Sequence, residues 1–388
     1  MKYIKHTLLA INLLVTVALL ITGYACWLSP ETWPWLSVSS FAFPAFLFLE
    51  GLFLVVWIFF KKLYILVPFL SLLMAYQPVA TYCPFGFHHD DGEGGGDSTR
   101  LVVLSYNTCG WGADDGYTYD DDKAALLMNY ILSTGADMAC LQEAPWTDSV
   151  EKVYTKVLSH TYPYHATIKS PEEQGVSVTV LSRWPITKSE LIPFTSKANA
   201  AGAFWTHGMV VVNCHLETLG FSQEEKSHFS GVMHGMVKGD AEQDSIRQES
   251  AFILNKLSSA AAIRAPQARA VKKFIEQQRQ QGQQTIIVCG DFNDIPLSYT
   301  HHTILSAITS PDLKGDESSH GDESSHSGYD CYREAGRGFG FTYVRHAMRV
   351  RIDHIFCTDN LMPLSCHVAD TVKLSDHYPI TATLHLQN

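Results

Sequence analysis

The chain has 388 residues and a formal net charge of −11, enough length for one large domain and additional segments. The charge is unevenly divided, because residues 1–80 carry a net charge of +2 and the rest therefore carries −13. A domain this acidic is not suited to collecting nucleic acid by charge alone.

Three apolar stretches follow one another from the N-terminus, at about 7–27, 36–60 and 63–81. Each meets the length of roughly 20 apolar residues that crosses a bilayer core. The repetition argues against a cleaved signal peptide, which would be a single short stretch. We therefore predict a transmembrane segment over 1–82 with about three spans, the alternative being two spans and an interfacial helix. Glu50 lies inside the second stretch, where we expect it to be protonated and hydrogen-bonded to a neighbouring span.

Lysines indicate which side of the membrane each loop occupies. Lys2 and Lys5 precede the first stretch, and Lys61 and Lys62 fill the turn between the second and third. The loop around Glu31 contains no Lys or Arg. The positive-inside rule therefore predicts a cytoplasmic N-terminus. After three spans, the rest of the chain would lie in the periplasm or outside the cell.

The remaining chain divides by composition. Residues 83–99 are acidic and glycine-rich, which predicts a flexible linker. Residues 100–388 alternate strand-like and helix-like patterns, which predicts one large α/β domain. Within it we expect a polar helical insertion at 219–264, bordering the active site or lying on the surface. We also expect a low-complexity loop at 315–326, where GDESSH is repeated. The predicted strands are 101–106, 138–142, 176–182, 209–216, 285–289, 352–357 and 379–385, and the predicted helices are 121–134, 148–158 and 265–280.

Polar side chains stand at the ends of these strands, in the motifs YN, LQE, HLE, GDFND, IDHIF and SDHYP. Apolar strands that each deliver an acid, amide or imidazole at one end build a site at the sheet edge. Carboxylate and amide oxygens hold a hard divalent ion, and a histidine oriented by a carboxylate activates water. The motif residues are Asn107, Glu143, His215, Asp291, Asn293, Asp353, Asp376 and His377.

Other chemistries lack their signatures in this sequence. There is no His-x-x-x-His or cysteine cluster, so Mg²⁺ is expected, with Mn²⁺ possible, rather than zinc. There is also no GxSxG, no P-loop, and no GxGxxG after a strand. The residue types favour hydrolysis of a phosphate ester, whose transition state spreads negative charge over several oxygens.

The motifs, in this order, resemble the endonuclease/exonuclease/phosphatase superfamily. That family includes pancreatic-type deoxyribonucleases, abasic-site endonucleases, neutral sphingomyelinases and inositol-polyphosphate phosphatases. The resemblance covers about Leu101 to Leu386. It implies a four-layer α/β sandwich of two mixed sheets flanked by helices.

The resemblance also implies a metal site and a base. Glu143 matches the principal metal carboxylate, and Asn107 matches the amide beside it. Asp376 matches a residue that supports metal binding. His377 matches the histidine that activates water, and Asp353 matches the carboxylate that orients it.

The remaining matches concern the substrate. Asp291 and Asn293 match the pair that contacts the phosphate and the nucleophile. His215 matches the phosphate-binding histidine of the deoxyribonuclease and sphingomyelinase branches. Asn107 is expected to contact substrate as well. Arg183 stands where the family often has a basic residue, so we expect either a phosphate contact or a structural salt bridge.

Together these features predict a membrane-anchored, Mg²⁺-dependent phosphodiesterase outside the cytoplasm. The acidic domain and the tether beside a bilayer favour a lipid headgroup or a small phosphorylated compound as substrate. A secreted-side nuclease is the alternative. A catalytically inactive binding or sensory membrane protein is less favoured, because every expected position is filled. No protein partner is indicated.

Overall fold

The structure is a computed structural model, and it describes residues 2–86, 100–113, 118–172, 175–220, 225, 243–309, 328–345 and 348–387. The predicted low-complexity loop, most of the predicted linker and much of the insertion before residue 243 lie outside these ranges. The predicted domain boundaries stay predictions.

The described chain contains long N-terminal helices followed by alternating strands and helices. Apart from the irregular turn Cys109–Gly112, the α-helices are α1 Lys2–Gly23, α2 Pro34–Ser37, α3 Phe43–Phe60, α4 Leu66–Met74, α5 Tyr76–Tyr82, α6 Asp121–Ser133, α7 Asp148–Val157, α8 Gln243–Gln280, α9 Tyr299–Thr309 and α10 Cys331–Ala335. The strands are β1 Arg100–Asn107, β2 Met138–Gln142, β3 Tyr164–Lys169, β4 Ser177–Ser182, β5 Ile186–Ile192, β6 Ala200–Thr206, β7 Met209–His215, β8 Ile286–Asp291, β9 Gly328–Asp330, β10 Tyr343–Arg345, β11 Met348–Val350, β12 Asp353–Thr358, β13 Leu361–Val368 and β14 Ile380–Leu386.

Two six-stranded mixed sheets form the catalytic domain, in the orders β13-β14-β1-β2-β4-β3 and β5-β6-β7-β8-β12-β9. Apolar side chains from both sheets interdigitate in one buried cluster, which includes Val103, Val180 and Ile287. The outer face of the first sheet packs against α6 and α7. The outer face of the second packs against α8 and α9. The predicted four-layer sandwich is therefore confirmed.

Each predicted strand corresponds to a strand in the structure, but seven further strands were not predicted. The predicted strands are continuous apolar runs buried on both faces, which is the pattern of a sheet covered on both sides. The missed strands carry weaker patterns. For example, β5 is largely exposed, and β6 begins with small residues that lie against its neighbours.

Two N-terminal helices are long and apolar enough to cross a membrane, over Tyr3–Gly23 and Pro34–Phe60. A third crossing would need Lys62–Met74 and Tyr76–Tyr82 together, and these two helices meet at a bend of 59°. The number of candidate spans is therefore two to three, which agrees with the predicted membrane association.

Glu50 is buried among the N-terminal helices, as expected. Its carboxyl group accepts hydrogen bonds from Asn12 Nδ2 at 3.1 Å and Thr16 Oγ1 at 2.8 Å, both on α1. Ser71 Oγ on α4 donates to it at 2.5 Å. Trp57 Nε1 in turn donates to Asn12 Oδ1 at 2.8 Å. These contacts join α1, α3 and α4, so we read Glu50 as an interhelical hydrogen-bonding group.

The helical segment contacts the catalytic domain at several places, including the loop after α1 and the end of α5. The loop after α1 does so through the Glu31–Arg269 ion pair at 2.8 Å. At the end of α5, Arg351 Nη2 donates to the Thr81 carbonyl at 2.6 Å. The α1–α3 loop and the end of α5 therefore lie on the same side as the catalytic domain, whereas Lys61 lies at the opposite end of α3.

Candidate active site

Strand pairing brings the motif residues to one edge of the sandwich. The parallel pair β1–β2 sets Asn107 beside Gln142, so that Glu143 follows at the same edge. The parallel pair β7–β8 sets His215 beside Asp291. The carboxyl ends of parallel strands meet at one edge of a sheet, so both pairs point their polar ends into the same place.

Two later segments complete this edge. Strand β12 runs antiparallel to β8 and places Asp353 beside Asp291. The segment before β14 supplies His377, whose Nδ1 lies 2.9 Å from Asp353 Oδ2. Ser375 Oγ donates to the Asn107 carbonyl at 2.8 Å, which fixes the neighbouring Asp376 against the end of β1.

Asp291 lies at the centre of the cluster. Its Oδ2 accepts a hydrogen bond from Asn107 Nδ2 at 3.1 Å. The same oxygen lies 3.6 Å from Nε2 of His215 and 3.6 Å from Nε2 of His377. Its other oxygen accepts from the backbone N–H of Asn293 at 2.8 Å. Asp291 therefore links groups from both sheets.

Glu143 adopts a left-handed backbone conformation with φ of +48°. Such a conformation costs a non-glycine residue about 1–2 kcal/mol. The loop after β1 holds the Glu143 carbonyl through Gly110 N–H at 2.9 Å and Thr108 Oγ1 at 2.8 Å. The side chain is thereby directed inward, where Asn107 Nδ2 donates to Oε1 at 3.2 Å and His215 Nε2 lies 3.7 Å away.

Asn293 is the second left-handed residue at the site, with φ of +53°. Asn adopts this region more readily than most residues, which suits it to the tight turn after β8. Its Nδ2 donates to the Leu216 carbonyl at 2.9 Å, so the side chain ties this turn to the end of β7. A contact between Asn293 and substrate remains a prediction.

Burial and mutual charge shift the proton affinities within the cluster. Burial raises the pKa of Asp291 to about 6. Burial also lowers the pKa of His215. For His377, burial opposes the charged form, but the charges of Asp353 and Asp291 outweigh it and hold its pKa well above the ordinary value. For Asp376, burial opposes the charged form, but the charges of His377 and Arg345 and hydrogen bonds from Cys109 and Ser375 outweigh it and lower the pKa. The carboxylates of the cluster therefore favour the charged form of His377.

The donor set fits a hard divalent cation. Donor atoms of Asp291, Asp353 and His377 all lie within 4.8 Å of one another. Among the described residues, the buried Asp353 Oδ1 has no hydrogen-bond partner. Mg²⁺ keeps several water ligands, which needs open space. The more exposed Glu143 and Asp376 border such space, because both line a cavity of about 230 Å³. Their assignment as metal ligands remains a prediction.

This cavity has walls from three parts of the chain. His215, Asp291, Asn293 and His377 join Glu143 and Asp376 at its base. One wall is the β10–β11 hairpin, through Tyr343, Met348 and Val350, and another is the start of the predicted insertion, at Leu219. Phe41, from the loop before α3 in the membrane segment, also lines it. The sequence analysis did not predict Phe41 as a site residue because it lies within a predicted membrane span.

Arg183 requires a correction. Its Nη1 forms a salt bridge with Asp137 Oδ1 at 3.0 Å, and its Nη2 donates to the Gly135 carbonyl at 3.1 Å. Asp137 precedes β2, whereas Glu143 follows it, so the two ends are about 20 Å apart at roughly 3.3 Å per residue. Arg183 therefore lies at the opposite edge of the sheet, and the structural alternative holds.

Helix α8 supplies positioning residues that sequence reasoning also missed. Arg264 is fully buried, and its Nε donates to Asp294 Oδ2 at 3.1 Å while Nη1 donates to the Glu217 carbonyl at 2.9 Å. Gln267 Oε1 accepts the Glu217 N–H at 2.9 Å. These bonds hold together the turns that follow His215 and Asp291. No local sequence pattern identifies these residues, because α8 is distant from both turns in sequence and meets them only in the folded protein.

Several solved structures are similar to this chain at low sequence identity. The chain is similar to truncated Caenorhabditis elegans TDP2, with 14% identity, a TM-score of 0.47, and 74% of this chain and 98% of that one covered. It is similar to an endonuclease/exonuclease/phosphatase from Beutenbergia cavernae, with 16% identity and a TM-score of 0.47. That match covers 75% of this chain and 72% of the other. It is also similar to the human Nocturnin catalytic domain, with 14% identity and a TM-score of 0.46. That match covers 74% of this chain and 95% of the other.

Among curated proteins, none matches this sequence. Residues 5–82 match the model of a domain of unknown function, DUF8431. Residues 104–377, more than half of the chain, match the model of the Endonuclease/Exonuclease/phosphatase family. Enzymes of that family hydrolyse phosphoric esters and are typically metal-dependent. The chain therefore belongs to the Endonuclease/Exonuclease/phosphatase family and is a phosphoric-ester hydrolase.

Proposed function

We propose that this protein is a membrane-anchored, Mg²⁺-dependent phosphodiesterase that acts on a lipid headgroup or a small phosphorylated compound outside the cytoplasm. One observation carries the proposal. The cavity that contains His377 and Asp291 also contains Phe41 from the membrane segment. A substrate anchored in the bilayer would therefore meet apolar surface and catalytic groups at the same opening.

The residues of the cluster divide the chemistry between them. Asp353 accepts the Nδ1 proton of His377 and directs Nε2 toward Asp291 and the cavity. In that orientation Nε2 is placed to take a proton from an attacking water. His215 faces the same cavity and is the candidate contact for a phosphate oxygen. Asn293, after Asp291, is the candidate second contact.

A divalent ion held by Glu143, Asp376 and Asn107 would stabilise charge on the phosphate oxygens and offset the negative field that keeps the proton on His377. Asn107 is suited to this position because its amide already lies between Glu143 and Asp291. Hard oxygen donors favour Mg²⁺, with Mn²⁺ possible.

The apolar rim supports a lipid over nucleic acid. Phe41, Met348, Val350 and Leu219 border the opening, and the soluble part of the chain carries a net charge of −13. Nucleic-acid binding depends on cations that neutralise backbone phosphates. An apolar border instead suits the glycerol or acyl portion of an amphiphile.

The test is a substrate panel with full-length protein and Mg²⁺. The panel contains sphingomyelin and phosphatidylglycerol vesicles, inositol phosphates, a small soluble phosphodiester and plasmid DNA, with His377→Ala as the inactive control. We expect turnover of a lipid or a small phosphate compound. Efficient cleavage of plasmid DNA alone would establish the nuclease alternative instead.

Phe41 offers a sharper test of the lipid substrate. We expect Phe41→Ala to lower turnover of vesicle phospholipid about tenfold or more, because burying a Phe side chain contributes about 1.5–3 kcal/mol. Turnover of the small soluble phosphodiester should stay near the wild-type value. Phe48→Ala is the matched control, since Phe48 lies on α3 with 72% of its surface exposed. Equal losses on both substrates would contradict the role assigned to Phe41.

A further inference from the structure

A second cavity lies behind the β10–β11 hairpin. Its volume is about 780 Å³, larger than the catalytic cavity of about 230 Å³. Successive strand residues face opposite sides. Tyr343 and Met348 accordingly line the catalytic cavity, whereas Val344 and Arg349 line the second one. The hairpin is thus a shared wall, and the second cavity is distinct from the site of hydrolysis.

The second cavity carries positive charge. Arg337 and Arg349 both line it and are exposed, and neither has an ion-pair partner among the described residues. His367 lines it as well. Asp370 contributes a carboxylate to the same lining, so the guanidinium charges exceed the acidic charge there. Two exposed guanidinium groups are suited to bind the oxygens of a phosphate group.

An apolar recess adjoins this charged cavity. Phe339 lines both, and the recess has a volume of about 440 Å³. Its other walls come from the membrane segment and its end, and they are Leu47, Leu72, Tyr76, Val79, Cys83 and Phe85. Leu47 belongs to a candidate membrane span, and Leu72 to Val79 belong to the bent helix pair. The recess therefore lies against the segment that is proposed to cross the membrane.

The structure fixes the recess and the charged cavity relative to each other. Gly338 N–H donates to the Pro84 carbonyl at 2.9 Å, and the rings of Tyr82 and Phe339 meet edge to face at 6.0 Å. Arg351 bridges the Phe339 and Thr81 carbonyls at 2.5 and 2.6 Å. Arg351 is committed to these bonds, whereas the two exposed arginines remain available. A ligand that meets this preformed surface loses little binding free energy to rearrangement.

We propose that this composite surface binds one anionic phospholipid that is not the substrate. Arg337 and Arg349 hold its phosphate, and an acyl chain lies in the recess beside Leu72, Val79 and Phe339. A free phosphate compound would use only the charged half, and a neutral lipid would use mainly the apolar half. The joined halves therefore favour an anionic lipid. The inference rests on the proposed membrane anchoring but not on the proposed hydrolysis.

The test measures lipid retention by native mass spectrometry on full-length, detergent-solubilised protein. His377→Ala serves as the background, so that no lipid is consumed. We expect long-chain phosphatidylglycerol to be retained in preference to phosphatidylcholine. Replacing both arginines, as Arg337→Gln with Arg349→Gln, should lower phosphatidylglycerol retention about tenfold or more, as expected for the loss of charge-assisted hydrogen bonds.

A matched control changes the same charge elsewhere. Lys152→Gln with Lys156→Gln removes two exposed cations of α7, and retention should be unchanged. Val79→Phe should fill part of the recess and lower retention of long-chain but not dihexanoyl phosphatidylglycerol. Equal retention of both headgroups, or an equal loss in the lysine control, would overturn the proposal. Neither outcome bears on the phosphodiesterase proposal, since the background protein does not turn over.

Discussion

At the scale of single residues, the site depends on a few side chains whose neighbours decide their state. Asp353 is buried, and one of its oxygens contacts His377 Nδ1 at 2.9 Å. Its charge also helps to hold the pKa of His377 above the ordinary value. Asp353 therefore fixes both the direction of the imidazole and its proton.

Replacing Asp353 separates these two effects. In Asp353→Asn the amide oxygen can still accept the Nδ1 proton, but the charge is lost. We expect kcat to fall by about 10²- to 10⁴-fold, the range typical of an impaired general base. The exposed Asp359→Asn, just after the same strand, should keep wild-type activity. Matching circular dichroism spectra would confirm that both variants fold. Undiminished turnover by Asp353→Asn would contradict a catalytic role for the Asp353–His377 pair.

Gly290 has a backbone requirement that no other residue type meets. Its φ is +130°, and an added Cβ would lie 2.0 Å from the Cys214 carbonyl oxygen. We expect Gly290→Ala to lower the free energy of unfolding by more than about 3 kcal/mol, since a backbone clash adds to the strain. Gly208 also has a positive φ, +74°, but nothing lies within 4 Å of the Cβ that Gly208→Ala would add. Gly208→Ala should lower the free energy of unfolding by only about 1–2 kcal/mol. Similar melting temperatures for the two variants would contradict the predicted clash at Gly290.

At the scale of elements, α8 connects the outer helical layer to the catalytic edge. Arg264 bridges Asp294 and the Glu217 carbonyl, and Gln267 binds the Glu217 N–H. These bonds cross from a helix to two strand ends that are far apart in sequence. The helix therefore orients His215 and Asp291 indirectly, through the turns that follow them.

Arg264→Met tests this positioning while preserving most of the side-chain volume. We expect a loss of about 3–5 kcal/mol in stability, because a buried carboxylate loses its partner. We also expect a lower kcat at unchanged metal affinity. The exposed Lys273→Met on the same helix should change neither. A stable Arg264→Met protein with full activity would contradict the role of α8 in positioning the active site.

At the scale of the whole molecule, the membrane segment and the catalytic domain meet at specific contacts. Glu31 pairs with Arg269, and Trp27 packs on His302 with ring centroids 4.5 Å apart. The end of α5 reaches the same domain through Thr81. The structure gives two to three candidate crossings, and Lys61 lies at the end of α3 that is opposite the catalytic domain.

Topology follows from that arrangement and from the lysine distribution. A reporter enzyme that is active only outside the cytoplasm, fused after Asn388, should be active. A second fusion in the Lys61–Lys62 turn should be inactive. Both results follow if positive loops stay in the cytoplasm. The reverse pattern, or activity at neither position, would contradict the proposed orientation.

The sequence patterns predicted an α/β domain with polar residues at the strand ends, and the resemblance of the motifs to a known family implied the two-sheet sandwich that the structure confirms. The catalytic, substrate and metal roles of those polar residues stay predictions. Buried strands such as β8 can be recognised by their continuous apolar runs, and several of them end at a motif residue such as Asp291. Such a pattern can be recognised from the sequence alone, because a strand that is covered on both faces needs apolar residues along its whole length. Exposed or small-residue strands such as β5 and β6 carry no such requirement, so they were missed.

Only the tertiary structure decided which residues share the site. Arg183 follows a strand in a suitable motif, yet pairing places it at the far edge beside Asp137. Phe41 and Arg264 have no local signal, yet folding brings one to the cavity and the other to the turns behind it. Residue type and strand periodicity are local properties of the chain. Proximity depends on register and helix packing, which contacts between distant segments establish.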